Sequence, residues 1–343
     1  MVVFRMSVTS AFADGLRRVA RARMLISGLW LTTVAMTLPF VLVLRDALAD
    51  HLGDSLAADT AASAVNFDWW NEFLAQATGL GQTFVPSVIG FAAVMKNLST
   101  VIDRGPLTLS LALLVGANTV VSFFLLGGVL DRLARDRATA GHGFFAACGV
   151  FFFRFLRLAS LAGAAYGVLF VAVYPWLFDD LYGGLTRNMT VERNAFALRV
   201  AFVAVFGAML LLVNLVFDYA KVRMVVEDRR SGFGALIAAV RFVRRQRGAA
   251  IGLYLLNTFL FVLLLAIYFL VAPGAAGSGI SVWLGLLIGQ LYIIARITVR
   301  LTFAATQIAL FQGRLAHAGY VARPAARWPD SPAASALSNS AIE

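Results

Sequence analysis

Little in this sequence can do covalent chemistry. There is one cysteine, Cys148, so no intrachain disulfide can form. The three histidines, His51, His142 and His317, lie far apart, and none falls at a zinc-binding spacing. No GxSxG elbow, HExxH helix, P-loop or dinucleotide fingerprint occurs. These absences argue against an enzyme and imply neither metal nor cofactor. Charge is scarce as well. Only 14% of the 343 residues are charged, against about 25% in soluble domains.

Apolar residues make up 60% of the chain, and the mean hydropathy is +0.82. Several runs exceed the roughly 18 apolar residues that identify a membrane span. The expected architecture is all-α and polytopic. It has six transmembrane helices, at about 24–44, 107–130, 158–178, 200–226, 249–271 and 280–312. They form one membrane domain, 1–318. The tail from Gly319 to Glu343 is rich in Pro, Ala and Ser and is expected to be disordered. Ala47-Leu48-Ala49 mimics a signal-peptidase site, but the apolar run before it is too long for a signal sequence.

The net charge of +11 would suggest nucleic acid in a soluble protein. Here the basic residues flank apolar spans, where they set orientation and meet anionic headgroups. Six spans with a cytoplasmic N-terminus put 23 of the 29 Lys and Arg on the inner side and the other 6 outside. That asymmetry places both termini in the cytoplasm of a bacterial inner-membrane protein. The partners expected are membrane lipids, with anionic headgroups at the cytoplasmic face, and a membrane protein; nucleic acid is not among them.

The chain is organised around 214–247, NLVFDYAKVRMVVEDRRSGFGALIAAVRFVRRQR. An apolar helix ends, a charged turn follows, and a basic amphipathic helix leads into the next span. We call this join an elbow. A shift of 92 residues lays Asp136-Arg137 on Asp228-Arg229 and Ala146-Ala147 on Ala238-Ala239. The N-terminal helix, 9–23, matches the third elbow at a shift of 221, with Ser10 on Ser231 and Val19 on Val240. Three elbow-plus-hairpin repeats would account for all six spans. On the N-terminal helix Phe12, Leu16 and Val19 share one arc, suited to the membrane interface. Asp14, Arg17, Arg18 and Arg21 share the opposite arc.

The join after the fourth span is Val225-Val226-Glu227, a polar turn, then Ala235, Ala238, Ala239 and Arg241. It resembles that of six-span bacterial membrane domains, including the one fused to some glycerophosphoryl diester phosphodiesterases. The resemblance covers about 60 residues and implies the six-span architecture. No phosphodiesterase domain accompanies it, so that activity does not carry over.

Ionisable groups at membrane depth are functional suspects. Asp218 leads, with Tyr219 beside it and Asn214 one turn earlier. It reads as an interfacial carboxylate paired with Lys221 or Arg223, as a substrate or coupling-ion group, or as one side of a structural pair across helices. Arg296 and Arg300 share one face of the sixth span. They either snorkel to the interface or hold an anionic headgroup. Arg241, Arg244, Arg245 and Arg247 crowd the end of the third elbow, where Leu236, Ile237, Val240 and Val243 would enter the membrane boundary. Phe144, Phe145, Phe151, Phe152, Phe153 and Phe155 crowd the second elbow, with Arg154 and Arg157 expected to face water. Asp68 and Glu72 read as an acidic surface turn.

The outer segment, 45–105, is acidic at first and carries Trp69-Trp70. Its stretch 84–102, broken by Pro86 and Gly90 and holding Lys96, reads as a re-entrant or surface helix. Gly163/Gly167, Gly248/Gly252 and Gly285/Gly289 have GxxxG spacing, but at a frequency chance alone provides. The function expected is non-catalytic handling of lipid or a small molecule. The alternative is a structural or assembly subunit docking through 66–84 or the basic face.

Overall fold

Backbone groups in lipid must be satisfied within the segment, so an apolar run of this length folds as a helix. The computed structural model describes residues 6–53, 55–63, 66–84, 109–136, 139–272 and 280–314. The stretch 85–102, the link 273–279 and the tail 319–343 lie outside the described residues. Among the described residues there are helices and no strand. Their order is α1 (Val8–Arg21), α2 (Arg23–Leu52), α3 (Ala57–Ser63), α4 (Phe67–Gln76), α5 (Leu109–Arg135), α6 (Gly141–Thr186), α7 (Glu192–Val226), α8 (Gly232–Arg245), α9 (Arg247–Val271) and α10 (Ile280–Arg314). Six of them, α2, α5, α6, α7, α9 and α10, are long and apolar enough to cross a membrane.

The elbows differ in how they end. α1 breaks at Ala22 (φ −106°, ψ 39°), and α8 breaks at Gln246 (φ −117°, ψ 29°). The second elbow does not break. It runs on into its span as the single helix α6, where sequence suggests two elements. Residues 154–161, RFLRLASL, contain no glycine or proline to interrupt it. Further along, α6 carries two π-helical stretches, Leu169–Val173 and Trp176–Tyr182, on either side of Tyr174-Pro175. Pro175 lacks the N–H that a regular ladder needs there. Phe170, Tyr174, Phe178 and Tyr182 form one stripe, and their rings meet Phe202 and Phe206 of α7.

The chain divides into two compact units. The first comprises Met1–Arg21, Leu126–Tyr254 and Ala304–Glu343. Its core sits at the basic ends of the helices. α7 is 35 residues long, about 52 Å at 1.5 Å per residue. Its first part exposes Phe196, Val200, Val203 and Leu212, whereas Leu215, Phe217, Ala220, Val222 and Met224 are buried. α10 behaves alike: Ile308, Leu310 and Phe311 near its end are fully buried. The exposed apolar parts lie on helices long and apolar enough to cross a membrane, and the elbows cover the rest.

Two turns in this unit share an unusual conformation. Asp136 (φ 48°) and Asp228 (φ 50°) adopt the left-handed region and end α5 and α7. Aspartate tolerates it better than most residues. Each receives an arginine from the preceding elbow: Arg21 on Asp136 at 2.7 Å, and Arg154 on Asp228. Just before each turn lies an i, i+4 ion pair, Asp131–Arg135 and Arg223–Glu227, both at 2.8 Å.

α1 uses a different face from the one its apolar arc suggests. Ala11, Gly15 and Val19 are buried, Phe12 is half-buried and Leu16 is exposed. Small residues let α1 press against α10, where Gly15 meets Thr306. Arg18, expected to face water, lies on this packed side. It binds Asp14 at 2.9 Å and donates to the Leu133 carbonyl and to Gln312 Oε1. Gln312 in turn donates to the Ala134 carbonyl at 3.0 Å. The last carbonyls of α5 thus find partners from both ends of the chain. Arg154 likewise turns away from water: its guanidinium lies 5.1 Å from the centre of the Phe151 ring.

The second unit comprises Ala22–Leu125 and Leu255–Phe303. In it Trp30 donates to Gln290 at 2.9 Å, and Tyr268 stacks on Tyr292. Asn66 caps α4, accepting from the Trp69 amide at 3.1 Å. Trp69 then donates to His51 Nδ1, and Phe73 packs edge-on against both His51 and Phe84.

Candidate functional site

The third elbow carries four exposed arginines, Arg241, Arg244, Arg245 and Arg247. Ser231 begins α8, its Oγ accepting from the Gly234 amide at 3.2 Å. At about 100° per residue the helix then presents three faces. Ala235, Ala239, Phe242 and Val243 are buried. Phe242 rings Tyr219 of α7 on one side and Phe311 of α10 on the other. Phe233, Ile237 and Val240 form a second face, apolar and exposed. Arg241 and Arg245 form a third, and Arg244 falls at the end of the apolar stripe. All three guanidiniums are exposed, and none has a carboxylate at ion-pair distance among the described residues. Val243 departs from expectation. It packs inside the protein, leaving Phe233, Ile237 and Val240 for the boundary.

An open cleft of about 510 Å³ lies at the start of α8. Arg157, Ser160 and Leu161 of α6 line it, facing Arg230, Ser231 and Phe233. The arginines around it divide into two kinds. Arg154 is taken by Asp228, and Arg223 and Arg229 share Glu227. Arg157 and Arg230 have no carboxylate partner among the described residues. Their convergence has no periodic signature in the sequence, because it depends on the end of one elbow meeting the start of the next.

Asp218 sits in the buried part of α7, on the basic side of its exposed apolar stretch. Lys221 Nζ lies 2.6 Å from its Oδ1, and Gln307 of α10 donates to Oδ2 at 3.4 Å. Arg223, the other partner considered for it, binds Glu227 instead. Asn214, one turn earlier, donates to the Tyr254 hydroxyl at 2.7 Å. The carboxylate is therefore paired within the protein, while Asn214 makes a separate contact to α9.

Tyr219 points the other way. Its side chain is fully buried, and its hydroxyl has no protein partner among the described residues. A buried hydroxyl left unpaired costs about 1–3 kcal/mol. Tyr219→Phe should therefore leave thermal stability in detergent unchanged or raise it by about 1 kcal/mol. A loss of comparable size would mean that the hydroxyl has a partner beyond the described residues, and would restore Tyr219 as a candidate ligand group.

Arg296 and Arg300 belong to the second unit, and both are exposed. From Ile280 to Arg296 is about 24 Å of helix, close to the thickness of a hydrocarbon core. Ile280, Val282, Trp283, Leu286 and Leu291 are exposed over that length, whereas Leu301 and Thr302 are buried. The two arginines thus fall where the exposed apolar part of α10 ends. The structure does not bring them together with Asp218 in one unit.

The aromatic residues of 66–84 are largely spent on their own packing around His51, with Phe73 buried and Phe67 exposed. Asp68 lies in the first turn of α4, and Glu72 accepts from Gln76. Gly163, Gly167, Gly248 and Gly289 have open space where a Cβ would stand. Close approach is made instead at Gly15, Gly127 and Gly128, the last two against Ala147, Cys148 and Phe151 of the second elbow. No three His, Cys, Asp or Glu side chains converge among the described residues. The chain matches no protein-family model, no curated protein and no solved structure.

Proposed function

We propose that this is a multi-pass membrane protein with a non-catalytic lipid-handling role, holding anionic lipid through its third elbow. The observation that carries this reading is the surface of α8. Unpaired Arg241, Arg244 and Arg245 stand beside the exposed stripe Phe233, Ile237 and Val240. A helix with an apolar edge and a free basic edge suits the headgroup boundary. Each basic residue there contributes about 1 kcal/mol against an anionic leaflet, less where salt screens it. The Lys and Arg distribution supports a cytoplasmic position for this face and for both termini, in a bacterial inner membrane.

We also infer that the chain is built from three related elbow-plus-hairpin units. The 92-residue shift that lays Asp136 on Asp228 also lays Asp131–Arg135 on Arg223–Glu227, with the charges exchanged. A conserved geometry carried by swapped charges is what a diverged repeat would retain.

The lipid reading is tested by changing Arg241, Arg244 and Arg245 together to Gln. The protein should stay folded, since none of the three makes an ion pair among the described residues. Anionic lipid co-purified in mild detergent and counted by mass spectrometry should fall several-fold. Unchanged lipid would leave these arginines to orientation alone.

A further inference from the structure

We propose that the cleft between α6 and the start of α8 is a specific site for the phosphate of an anionic lipid, distinct from the α8 arginines and resting on the lipid-handling reading above. Two observations carry it. The first is charge. Arg157 and Arg230 line one cleft with no carboxylate partner among the described residues, while Arg154, Arg223 and Arg229 beside them are all paired. Asp228, close in sequence to Arg230, is already bound by Arg154. Two arginines lining one open cleft make it a favourable place for an anion. A guanidinium fork suits phosphate oxygens, and the resulting hydrogen bonds are charge-assisted.

The second observation is the mixed lining. Ser160 donates its hydroxyl proton to the Arg157 carbonyl at 2.8 Å, so its oxygen remains an acceptor. Ser231 Oγ accepts from the Gly234 amide, which leaves its proton for an anion. Leu161 and Phe233 supply an apolar wall. Phe233 is 62% exposed and starts the stripe that continues through Ile237 and Val240. A ligand with phosphate between the arginines can lay an acyl chain along that stripe. A free phosphate would have no use for it, so the two edges together select a phospholipid.

The test uses the full chain in mild detergent, with dihexanoyl phosphatidic acid, dihexanoyl phosphatidylglycerol and inorganic phosphate as probes. Native mass spectrometry counts bound molecules, and thermal unfolding reads their stabilising effect. The wild type should bind one of the two lipids saturably, with one site per chain. Arg157→Gln with Arg230→Gln should weaken that site tenfold or more while leaving the ligand-free melting point in place. Arg241→Gln, Arg244→Gln and Arg245→Gln together should leave it intact. Phe233→Ser should weaken lipid binding without touching the guanidiniums.

Equal binding by wild type and the Arg157/Arg230 variant would overturn the site. Inorganic phosphate displacing the lipid at equal concentration would also overturn it, assigning the cleft to a soluble anion. A saturable site lost only in the α8 triple variant would refute the cleft and keep the elbow reading. Saturable binding at the cleft, with co-purified lipid unaffected by the triple variant, would do the reverse.

Discussion

Arg18→Met should release the N-terminal helix. Arg18 is only 13% exposed and does three things at once. It pairs with Asp14 at 2.9 Å, donates to the Leu133 carbonyl at 3.0 Å, and donates to Gln312 Oε1 at 2.8 Å. Methionine keeps the apolar stem and removes all three contacts. Asp14 then loses its counter-ion, and the end of α5 loses one capping donor. Hydrogen bonds to charged groups contribute about 1.5–3 kcal/mol each. Asp14 is partly exposed, so solvent recovers some of its share. The net loss expected is about 3 kcal/mol. Arg17 provides the control, being exposed and without an ion pair among the described residues; Arg17→Met should change stability by less than about 0.5 kcal/mol. Unfolding in detergent gives the size of the effect, and limited proteolysis within 8–21 gives its location. Equal behaviour of the two variants would mean that the Arg18 network is ornamental.

That Arg18 matters was not legible in its sequence position. Helical periodicity puts a cation outward by default. Whether a helix end or carboxylate waits on the other side is a tertiary fact. Arg154, drawn in by Asp228 and Phe151, escapes a periodic reading for the same reason. The six spans themselves were legible, because lipid leaves an apolar run little choice but helix. Their lengths were less so. Hydropathy stops where polar residues begin, yet α7 starts at Glu192 rather than near Val200, and α10 continues to Arg314. At the end of α10, burial of Ile308, Leu310 and Phe311 accompanies the extension, whereas the first residues of α7 extend as exposed helix.

The candidate site divides along the same line. Arg241, Arg244 and Arg245 stand out as a basic run on an amphipathic helix, since one helix decides their exposure. The face holding Phe242 does not stand out, because its burial depends on Tyr219 and Phe311 from two other helices. Arg157 and Arg230 are ordinary surface arginines until two elbows meet. Close helix contact was also misdirected by spacing. The GxxxG glycines Gly163 and Gly167 face open space, while Gly15, in no such pair, makes the tightest approach to another backbone.

Gly15→Ala turns that contact into a large expected effect. In an open helix, alanine stabilises relative to glycine by about 1 kcal/mol. At Gly15 a Cβ would meet the side chain of Thr306 and stand 2.7 Å from its amide nitrogen and 2.8 Å from its Cα. Two of those atoms are backbone, and Thr306 is fully buried. No rotamer change relieves the overlap, so α1 must move away from α10. Overpacking of this kind costs about 1–3 kcal/mol. The movement also draws Arg18, one turn on, away from Leu133 and Gln312. Their loss brings the expected destabilisation to about 2–4 kcal/mol. Gly163→Ala, with open space at its Cβ, should instead be neutral or more stable by up to about 1 kcal/mol. Because Gly15 and Arg18 act on one seam, Gly15→Ala combined with Arg18→Met should cost less than the sum of the two single changes. Thermal unfolding of the four variants in one detergent decides the matter. Strict additivity, or a Gly15→Ala protein as stable as Gly163→Ala, would mean that α1 is not clamped to α10 through this contact.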